Sequence, residues 1–213
     1  MSSIYNNTVT FDPTGTIQPL TNIKKTIELG TPAISVSTKN FGLMLTFQIP
    51  SKYKMRKIFK IETGKSILIS FAGTNNDSLR IFDSLQENLI KNEDKKIFNI
   101  FGKTSKEIAI RTITGSRLNG NISISNYYCD KIKSFVTEEM SNVGNIKFKK
   151  ATAIGFRMNS ILTILEKNFK KDWEFEEIME VAEKIRKTVF EDEEREIFGY
   201  LIDKEGKITE LNK

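Results

Sequence analysis

The catalytic side chains that this sequence lacks limit its chemistry more than those it has. Its 213 residues include no histidine, which excludes Ser-His-Asp and Cys-His catalysis and most zinc sites. The single cysteine, Cys129, cannot form an internal disulfide and fits a reducing compartment. Because no histidine is available to activate its thiol, we expect Cys129 to be a buried or half-buried structural residue rather than a nucleophile.

Basic residues outnumber acidic ones, which raises the question of a nucleic-acid partner. The formal net charge is +6, but the basic residues are spread along the chain. The one dense basic run with an aromatic residue is Lys147–Lys150, around Phe148, and the C-terminal quarter is acidic, as in Glu191–Glu194. A nucleic-acid-binding protein collects its basic residues on one face. We therefore expect a solvated surface and no nucleic-acid partner.

Composition and length predict one soluble domain. The chain is 38% hydrophobic and 28% charged, as ordinary globular proteins are. No apolar run approaches the roughly 18 residues that cross a membrane, and the first residues lack the layout of a signal peptide. With no repeat, linker or composition boundary, we expect a single domain over 1–213, without a membrane partner, metal or cofactor.

Hydrophobic periodicity and turn residues predict the elements that position any site. Residues 1–19 are expected to be extended and to lead into a first helix over 20–29 that ends at Gly30. Paired strands are predicted at 33–37 with 41–47, 58–62 with 66–71, 122–128 with 132–137, and 197–202 with 207–211. Further helices are predicted from Asn75, over 105–113, after a turn that starts at Lys150, and over 173–190.

The connections between these elements predict the fold class. Strands joined as hairpins form antiparallel sheets, so we expect an α+β fold, a four-layer αββα sandwich of two antiparallel sheets flanked by helices. The small residues Ala151, Thr152, Ala153 and Gly155 predict a close-packed turn. The predicted apolar helix faces are Leu79, Phe82, Leu85 and Leu89; Ile161, Leu162, Ile164, Leu165 and Phe169; and Ile178, Ala182, Ile185 and Val189.

Two segments carry a family resemblance. Lys150–Phe169, KATAIGFRMNSILTILEKNF, and Tyr5–Gly15, YNNTVTFDPTG, resemble the matching regions of alpha-type subunits of the 20S proteasome. The similarity covers nearly the whole chain and is weakest over 91–117, where the chain is shorter than the family. The run Thr8–Gly15 is most similar to the class at the sixth ring position, known in human as alpha type-1. The predicted order of elements is that of the family's N-terminal-nucleophile hydrolase fold.

The resemblance implies a structural role. It implies a non-catalytic subunit in the heptameric alpha ring of the 20S core particle, which templates the beta rings and gates substrate access for protein degradation, including ubiquitin-dependent catabolism. The implied partners are other alpha subunits, beta subunits and the C-terminal tails of a regulatory particle. The implied location is the cytoplasm and nucleus.

The resemblance also assigns two sites. Lys57 and Gly30 match residues that line a pocket between adjacent alpha subunits, where an ammonium pairs with the terminal carboxylate of an activator tail. The alternative is that Lys57 is a solvated charge beside a strand. Tyr5 and Pro13 match the gate segment.

Several positions depart from the family pattern. The glutamate and tyrosine of the family's first helix correspond to Thr21 and Asn22, and the aspartate that follows the gate tyrosine corresponds to Asn6. The activator pocket and the gate cluster therefore lack some of the family's usual polar groups.

A catalytic alternative rests on Gly30-Thr31. Active relatives expose an N-terminal threonine by cleavage after a glycine, and the threonine amine then serves as base. Lys57 matches the catalytic lysine of these relatives. Against this alternative, residues 1–29 resemble a retained alpha N-terminus, and the family's catalytic aspartate falls near Phe47 or Gln48, which cannot accept a proton. We expect no catalytic residue, with a processed Thr31 peptidase or a basic nucleic-acid-binding module as the alternatives.

Overall fold

The computed structural model describes residues 11–51, 57–62, 64–91, 97–114 and 120–212, with backbone alone for 112–114. The elements within these residues are α1 Gln18–Glu28, β1 Ala33–Ser37, β2 Phe41–Gln48, β3 Ile58–Glu62, β4 Ser66–Gly73, α2 Asn75–Lys91, α3 Ile97–Thr114, β5 Asn121–Cys129, β6 Ser134–Met140, β7 Ile146–Lys149, β8 Ala151–Ile154, α4 Met158–Asn168, α5 Phe175–Val189, β9 Glu196–Asp203 and β10 Ile208–Asn212.

The strands form two five-stranded sheets. The first sheet has the order β10-β9-β2-β1-β8, and the second has the order β3-β4-β5-β6-β7. Every neighbouring pair is antiparallel. The prediction of antiparallel sheets is confirmed, since most neighbours are consecutive strands joined by short turns.

Three buried clusters show how the layers stack. One cluster lies between the two sheets and includes Met44, Leu68 and Phe135. A second lies between the first sheet and α4 with α5, and a third lies between the second sheet and α2 with α3. Because side chains alternate across each strand, both sheets are covered on both faces. The predicted four-layer αββα sandwich is confirmed.

The first helix, α1, lies outside the two helical layers. Pro19 stands in its first turn, where a missing N–H removes no helical hydrogen bond. Near its other end, Ile27 is 7% exposed and belongs to the cluster between the sheets, together with Ala33 and Ala72. The helix therefore closes one end of the sandwich.

The prediction of a turn over 151–155 is wrong for all but its last residue. Ala151–Ile154 is strand β8, which pairs with β1 and places Ile154 opposite Ala33. A further strand, β7, precedes it on the second sheet. Only Gly155, with φ +87°, has turn geometry. Small side chains produce no hydrophobic alternation, so the period of this strand does not show in the sequence.

The helix faces are partly as predicted. All four residues named for α5 are buried, but Leu79 of α2 and Phe169 after α4 are each 47% exposed. In α2 the buried face includes Ile81 instead of Leu79. Phe169 packs against Trp173 beyond the end of α4. α3 is also longer than the predicted helix over 105–113, and β6 begins later than predicted.

Candidate functional site

The end of the sandwich that α1 closes, named here the α1 end, brings together the residues singled out from the sequence. The starts of β1 and β3 and the ends of β4 and β8 meet there, as the pairs Ala33 with Ile154 and Ile58 with Ser70 show. The opposite end, named the turn end, holds the turns that join β1 to β2, β5 to β6 and β9 to β10. Gly30, Thr31 and Lys57 are all at the α1 end.

Gly30 lies against the end of β4. A Cβ atom at this position would be 2.7 Å from the backbone nitrogen of Gly73 and 2.8 Å from the Cβ of Ala72. Its own amide donates to Ile27 O at 3.0 Å. These contacts leave no room for a side chain, so the chain passes from α1 to β1 by backbone packing alone.

Thr31 is enclosed from the other side by the β8–α4 turn. A Cβ atom on Gly155 would be 2.7 Å from the carbonyl carbon of Thr31. Next to it, Phe156 N donates to Gly30 O at 2.8 Å. The peptide between Gly30 and Thr31 is thus held between β4 and the β8–α4 turn. An amide nitrogen in a peptide bond cannot serve as the base that an N-terminal threonine requires.

The strand that would supply a catalytic aspartate carries none at the expected place. Phe47 is fully buried and packs against Phe190, with ring centroids 5.5 Å apart. Gln48 donates from Nε2 to Thr46 Oγ1 at 2.9 Å. Neither residue supplies a carboxylate, and the guanidinium of Arg195 donates from Nη1 to Phe47 O at 2.9 Å.

Lys57 and Gly30 contact neighbouring positions of β4. Its carbonyl accepts a hydrogen bond from Ser70 Oγ at 2.9 Å, while Gly30 contacts Ala72. Ser70 and Ala72 are two residues apart on the same face, about 7 Å along the strand. The side chain of Lys57 is half-buried, and no carboxylate among the described residues pairs with it.

Pro13 lies in a tight turn ahead of α1, closed by the bond from Gly15 N to Asp12 O at 2.9 Å, so the expectation of extended chain is wrong at this point. The organising residue is Asp12, whose carboxylate accepts bonds from Thr14 N at 2.9 Å, Thr14 Oγ1 at 2.6 Å and Gln18 Nε2 at 2.6 Å. The bond from the Thr14 hydroxyl is the largest cause, followed by Gln18, of the lowering of the Asp12 pKa to about 2.

The rest of the predicted gate cluster is not brought together among the described residues. Tyr5 and Asn6 lie outside them. Asn22 is exposed, and the hydroxyl of Thr21 donates within α1 to Ile17 O. The gate assignment of Tyr5 and Pro13 therefore stays a prediction.

Two buried polar groups have no counterpart in the sequence analysis. Glu138, on the α3 side of the second sheet, is 1% exposed and accepts from Tyr127 Oη at 2.7 Å. Burial raises the pKa of Glu138 to about 7, against the opposing effect of the Tyr127 bond. The pKa of the Tyr127 hydroxyl is also raised, first by burial and then by the charge of Glu138.

The second group lies between the sheets. Asn126 donates from Nδ2 to Ser35 Oγ and to Val36 O, each at 2.9 Å, and Ser35 contacts Thr137 Oγ1 at 2.9 Å. Hydroxyls need a neighbouring base to become nucleophiles, and an amide is not one. This group links the sheets and has no arrangement for catalysis.

Within the described part of the chain, no cluster of acidic or cysteine side chains has the geometry to hold a metal ion. None of the helices described is long and apolar enough to cross a membrane.

A comparison with known families agrees with this architecture. A family model described as Proteasome subunit matches residues 27–201, which span the fold from the end of α1 to β9. No curated protein matches the chain. The family includes both catalytic and non-catalytic subunits, and the two antiparallel sheets between helical layers are consistent with its N-terminal-nucleophile fold. The match covers most of the 213 residues, and the chain belongs to the proteasome subunit family.

Proposed function

We propose that this chain is a non-catalytic alpha-type subunit of the 20S core particle. It forms part of the heptameric alpha ring, which templates the beta rings and restricts substrate access for protein degradation. The observation that carries this proposal is the burial of Ile27 between the sheets, which makes α1 part of the folded core.

Catalysis by Thr31 would require cleavage of the bond after Gly30, which would release α1 as a propeptide. Ile27 would then leave the cluster that contains Ala33 and Ala72. Burial of an isoleucine contributes roughly 1.5–3 kcal/mol, so loss of the helix would weaken the end of the sandwich at which the reaction would occur. A retained α1 fits a structural subunit better.

The residues around Thr31 also favour a structural role. Lys57 is present at the α1 end, as in an active subunit, but positions 47 and 48 supply no acid. Thr31 has an amide in place of an amine, and Gly155 packs against its carbonyl group. A lysine and a hydroxyl without a free amine are insufficient for the N-terminal-nucleophile mechanism.

Within this proposal, Lys57 and Gly30 line a pocket for the C-terminal carboxylate of a regulatory-particle tail, and the segment with Tyr5 and Pro13 belongs to the gate. The pocket is supported by the contacts of Lys57 with Ser70 and of Gly30 with Ala72, two neighbouring positions on one face of β4, and the gate segment rests on the sequence resemblance. The further parts of the proposal, the sixth ring position and a location in the cytoplasm and nucleus, rest on the sequence resemblance.

Native purification of the tagged chain tests the role. We expect a large assembly that contains related subunits, in which mass spectrometry finds this chain uncut before Thr31. An electrophile that needs both a hydroxyl and a free α-amine should leave it unmodified. The catalytic alternative would be established if the mature chain began at Thr31 and reacted with this electrophile, and if the Thr31→Ala variant did not react.

A second observation tests assembly in the absence of partners. Ring contacts between subunits are heterologous and close by rotation, so the purified chain alone should self-associate or be poorly soluble. A stable, monodisperse monomer at micromolar concentration would contradict the proposal.

A further inference from the structure

An open apolar groove lies at the turn end, on the α3 side of the second sheet. Its volume is about 960 Å³, and it is bounded by the start of α3, the β5–β6 turn and β7. Three apolar side chains in it are about half exposed, Phe98 at 49%, Ile132 at 56% and Phe148 at 53%. Phe98 and Phe148 pack together with ring centroids 5.5 Å apart. Contiguous exposed apolar surface in a concave site indicates binding.

Lysines surround this apolar floor. The groove is lined by four of them, Lys65, Lys131, Lys149 and Lys150, and by one carboxylate, Asp130. Lys149 is paired with Glu139 at 2.7 Å. The other three lysines form no ion pair with a described residue, and Lys150 donates only to Ser134 Oγ, at 3.2 Å. The rim therefore carries an excess of positive charge.

The apolar floor and the lysines at the rim together define the chemistry of an occupant. We propose that this groove binds an acidic segment of a partner protein, with one aromatic or large aliphatic side chain seated on Phe98, Ile132 and Phe148. Its carboxylates lie against the ammonium groups of Lys131, Lys150 and Lys65. An apolar anchor in the centre and charges at the rim is the usual arrangement of a peptide-binding surface.

The groove at the turn end differs in charge from a second groove, which lies between α5 and β10. That groove, of about 830 Å³, is lined by both signs of charge, with Glu176, Glu180, Glu183 and Glu210 beside Lys184 and Lys187. There the carboxylates outnumber the lysines, so the net charge has the opposite sign. At the turn end the excess of lysines selects an acidic occupant.

Packing around Phe148 argues against nucleic acid at the same place. A nucleic-acid site needs free aromatic faces for stacking and cations that follow a backbone. Here Phe148 is tilted by 41° against Phe98, so the two rings form no flat platform for a base, and Lys149 is paired with Glu139. The basic run around Phe148, noted in the sequence, is thus one wall of a concave apolar groove.

Cys129 gives a direct measurement of occupancy. It is the only cysteine, it lines the groove, and it is half-buried. The probe is a short synthetic peptide in which glutamates and aspartates flank one phenylalanine and one leucine. Binding to the full-length chain should be saturable and should slow alkylation of Cys129 by roughly tenfold, because a seated anchor covers the thiol.

Matched peptides and variants identify the contacts. Peptides with glutamine for the acids, or serine for the apolar residues, should bind roughly tenfold more weakly. Phe148→Ser and Lys131→Glu should each weaken binding similarly. Phe11→Ser, at a residue 70% exposed, and Lys171→Glu, outside the groove, should not. Circular dichroism establishes that each variant is folded.

Three outcomes would overturn the proposal. The first is equal binding of the acidic peptide and its glutamine control. The second is an alkylation rate of Cys129 in the parent chain that is the same with and without saturating peptide. This measurement uses no variant, so misfolding of a variant cannot explain it. The third is tighter binding of single-stranded DNA or of anionic vesicles than of the peptide, with the same dependence on Phe148 and Lys131.

Discussion

The α1 end and the turn end of the sandwich are built from the same strands but differ in how the space between elements is filled. At the α1 end, Gly30 and Gly155 let backbone pack on backbone around Thr31. At the turn end, Phe98, Ile132 and Phe148 leave an open groove with lysines at its rim. One end is closed by its own chain, and the other offers surface to a partner.

This difference bears on the proposed non-catalytic role. An N-terminal nucleophile needs an accessible threonine at the start of β1, and here that position is occupied by a continuous chain and its packing. If the chain is non-catalytic, as proposed above, its function lies in its surfaces. The two ends should therefore respond differently to the same kind of substitution.

The largest effect should come from Gly155→Ala. Gly155 has φ +87°, and an added Cβ would meet the Thr31 carbonyl group, so strain and overlap act together. We expect a loss of about 3–5 kcal/mol in the free energy of unfolding, measured by denaturant titration at a fixed protein concentration.

Gly64→Ala is the matched control at the turn end. Gly64 also has a positive φ, +66°, but nothing lies within 4 Å of the added Cβ. Backbone strain alone should lower stability by about 1 kcal/mol. Equal effects of the two substitutions would show that the α1 end is not tightly packed.

The next effect should come from Ile27→Ala. Removal of this side chain from the cluster between the sheets should lower stability by about 2–4 kcal/mol and increase hydrogen exchange at the start of β1. Ile132→Ala is the comparison at the turn end, where the side chain is 56% exposed, and it should change stability by less than about 0.5 kcal/mol. A neutral Ile27→Ala would mean that α1 is dispensable, as a propeptide is.

The contrast between the ends could be predicted from the sequence only in part. Hairpins such as β1–β2 alternate clearly and have recognisable turns, so the sheets and the layers followed from the pattern. Gly30 and Gly155 signal turns, but no pattern shows that they approach the same peptide from different parts of the chain. Such contacts depend on the register between β1 and β8, and the small residues of β8 give no sequence pattern from which that register could be predicted.

Elements with weak patterns were missed for identifiable reasons. β7, with the sequence IKFK, is largely exposed, and the first half of α3 contains Gly102, which lowers helix propensity. The burial of Glu138 could not be predicted because its neighbour Glu139 is also acidic and the cover comes from α3. The groove combines Phe98, Ile132 and Phe148, whose grouping requires the tertiary fold.

The acid beside the groove should make stability depend on pH. Glu138 lies opposite Phe148 in the β6–β7 pair, and its pKa is raised from 4.5 to about 7 by burial. A raised pKa means that the folded state favours the protonated acid. Its contribution is present below pH 4.5 and is lost as the pH rises through 7, by up to about 3 kcal/mol.

Glu138→Gln tests this dependence, because glutamine keeps the acceptor for Tyr127 without a charge. The stability of this variant relative to the parent should increase between pH 4.5 and 8, in urea titrations at each pH. Tyr127→Phe should move the loss to higher pH, because it removes the hydrogen bond that lowers the Glu138 pKa. A parent and a glutamine variant with parallel curves would exclude Glu138 as the source.

The smallest effect should come from Asp12, which orders the turn before α1 without joining the core. Its carboxylate holds Thr14, Thr16 and Gln18, and its pKa is lowered to about 2. A lowered pKa means that the stabilisation is present above pH 3.8 and is lost as the pH falls through about 2. Asp12→Ala should therefore raise hydrogen exchange at the amides of Thr14 and Thr16 near neutral pH and lower the global unfolding midpoint only slightly, because the carboxylate is exposed to solvent. Since Ile27 anchors α1 independently of this turn, a shift of the global midpoint as large as that of Ile27→Ala would mean that the closed end extends into the segment before α1.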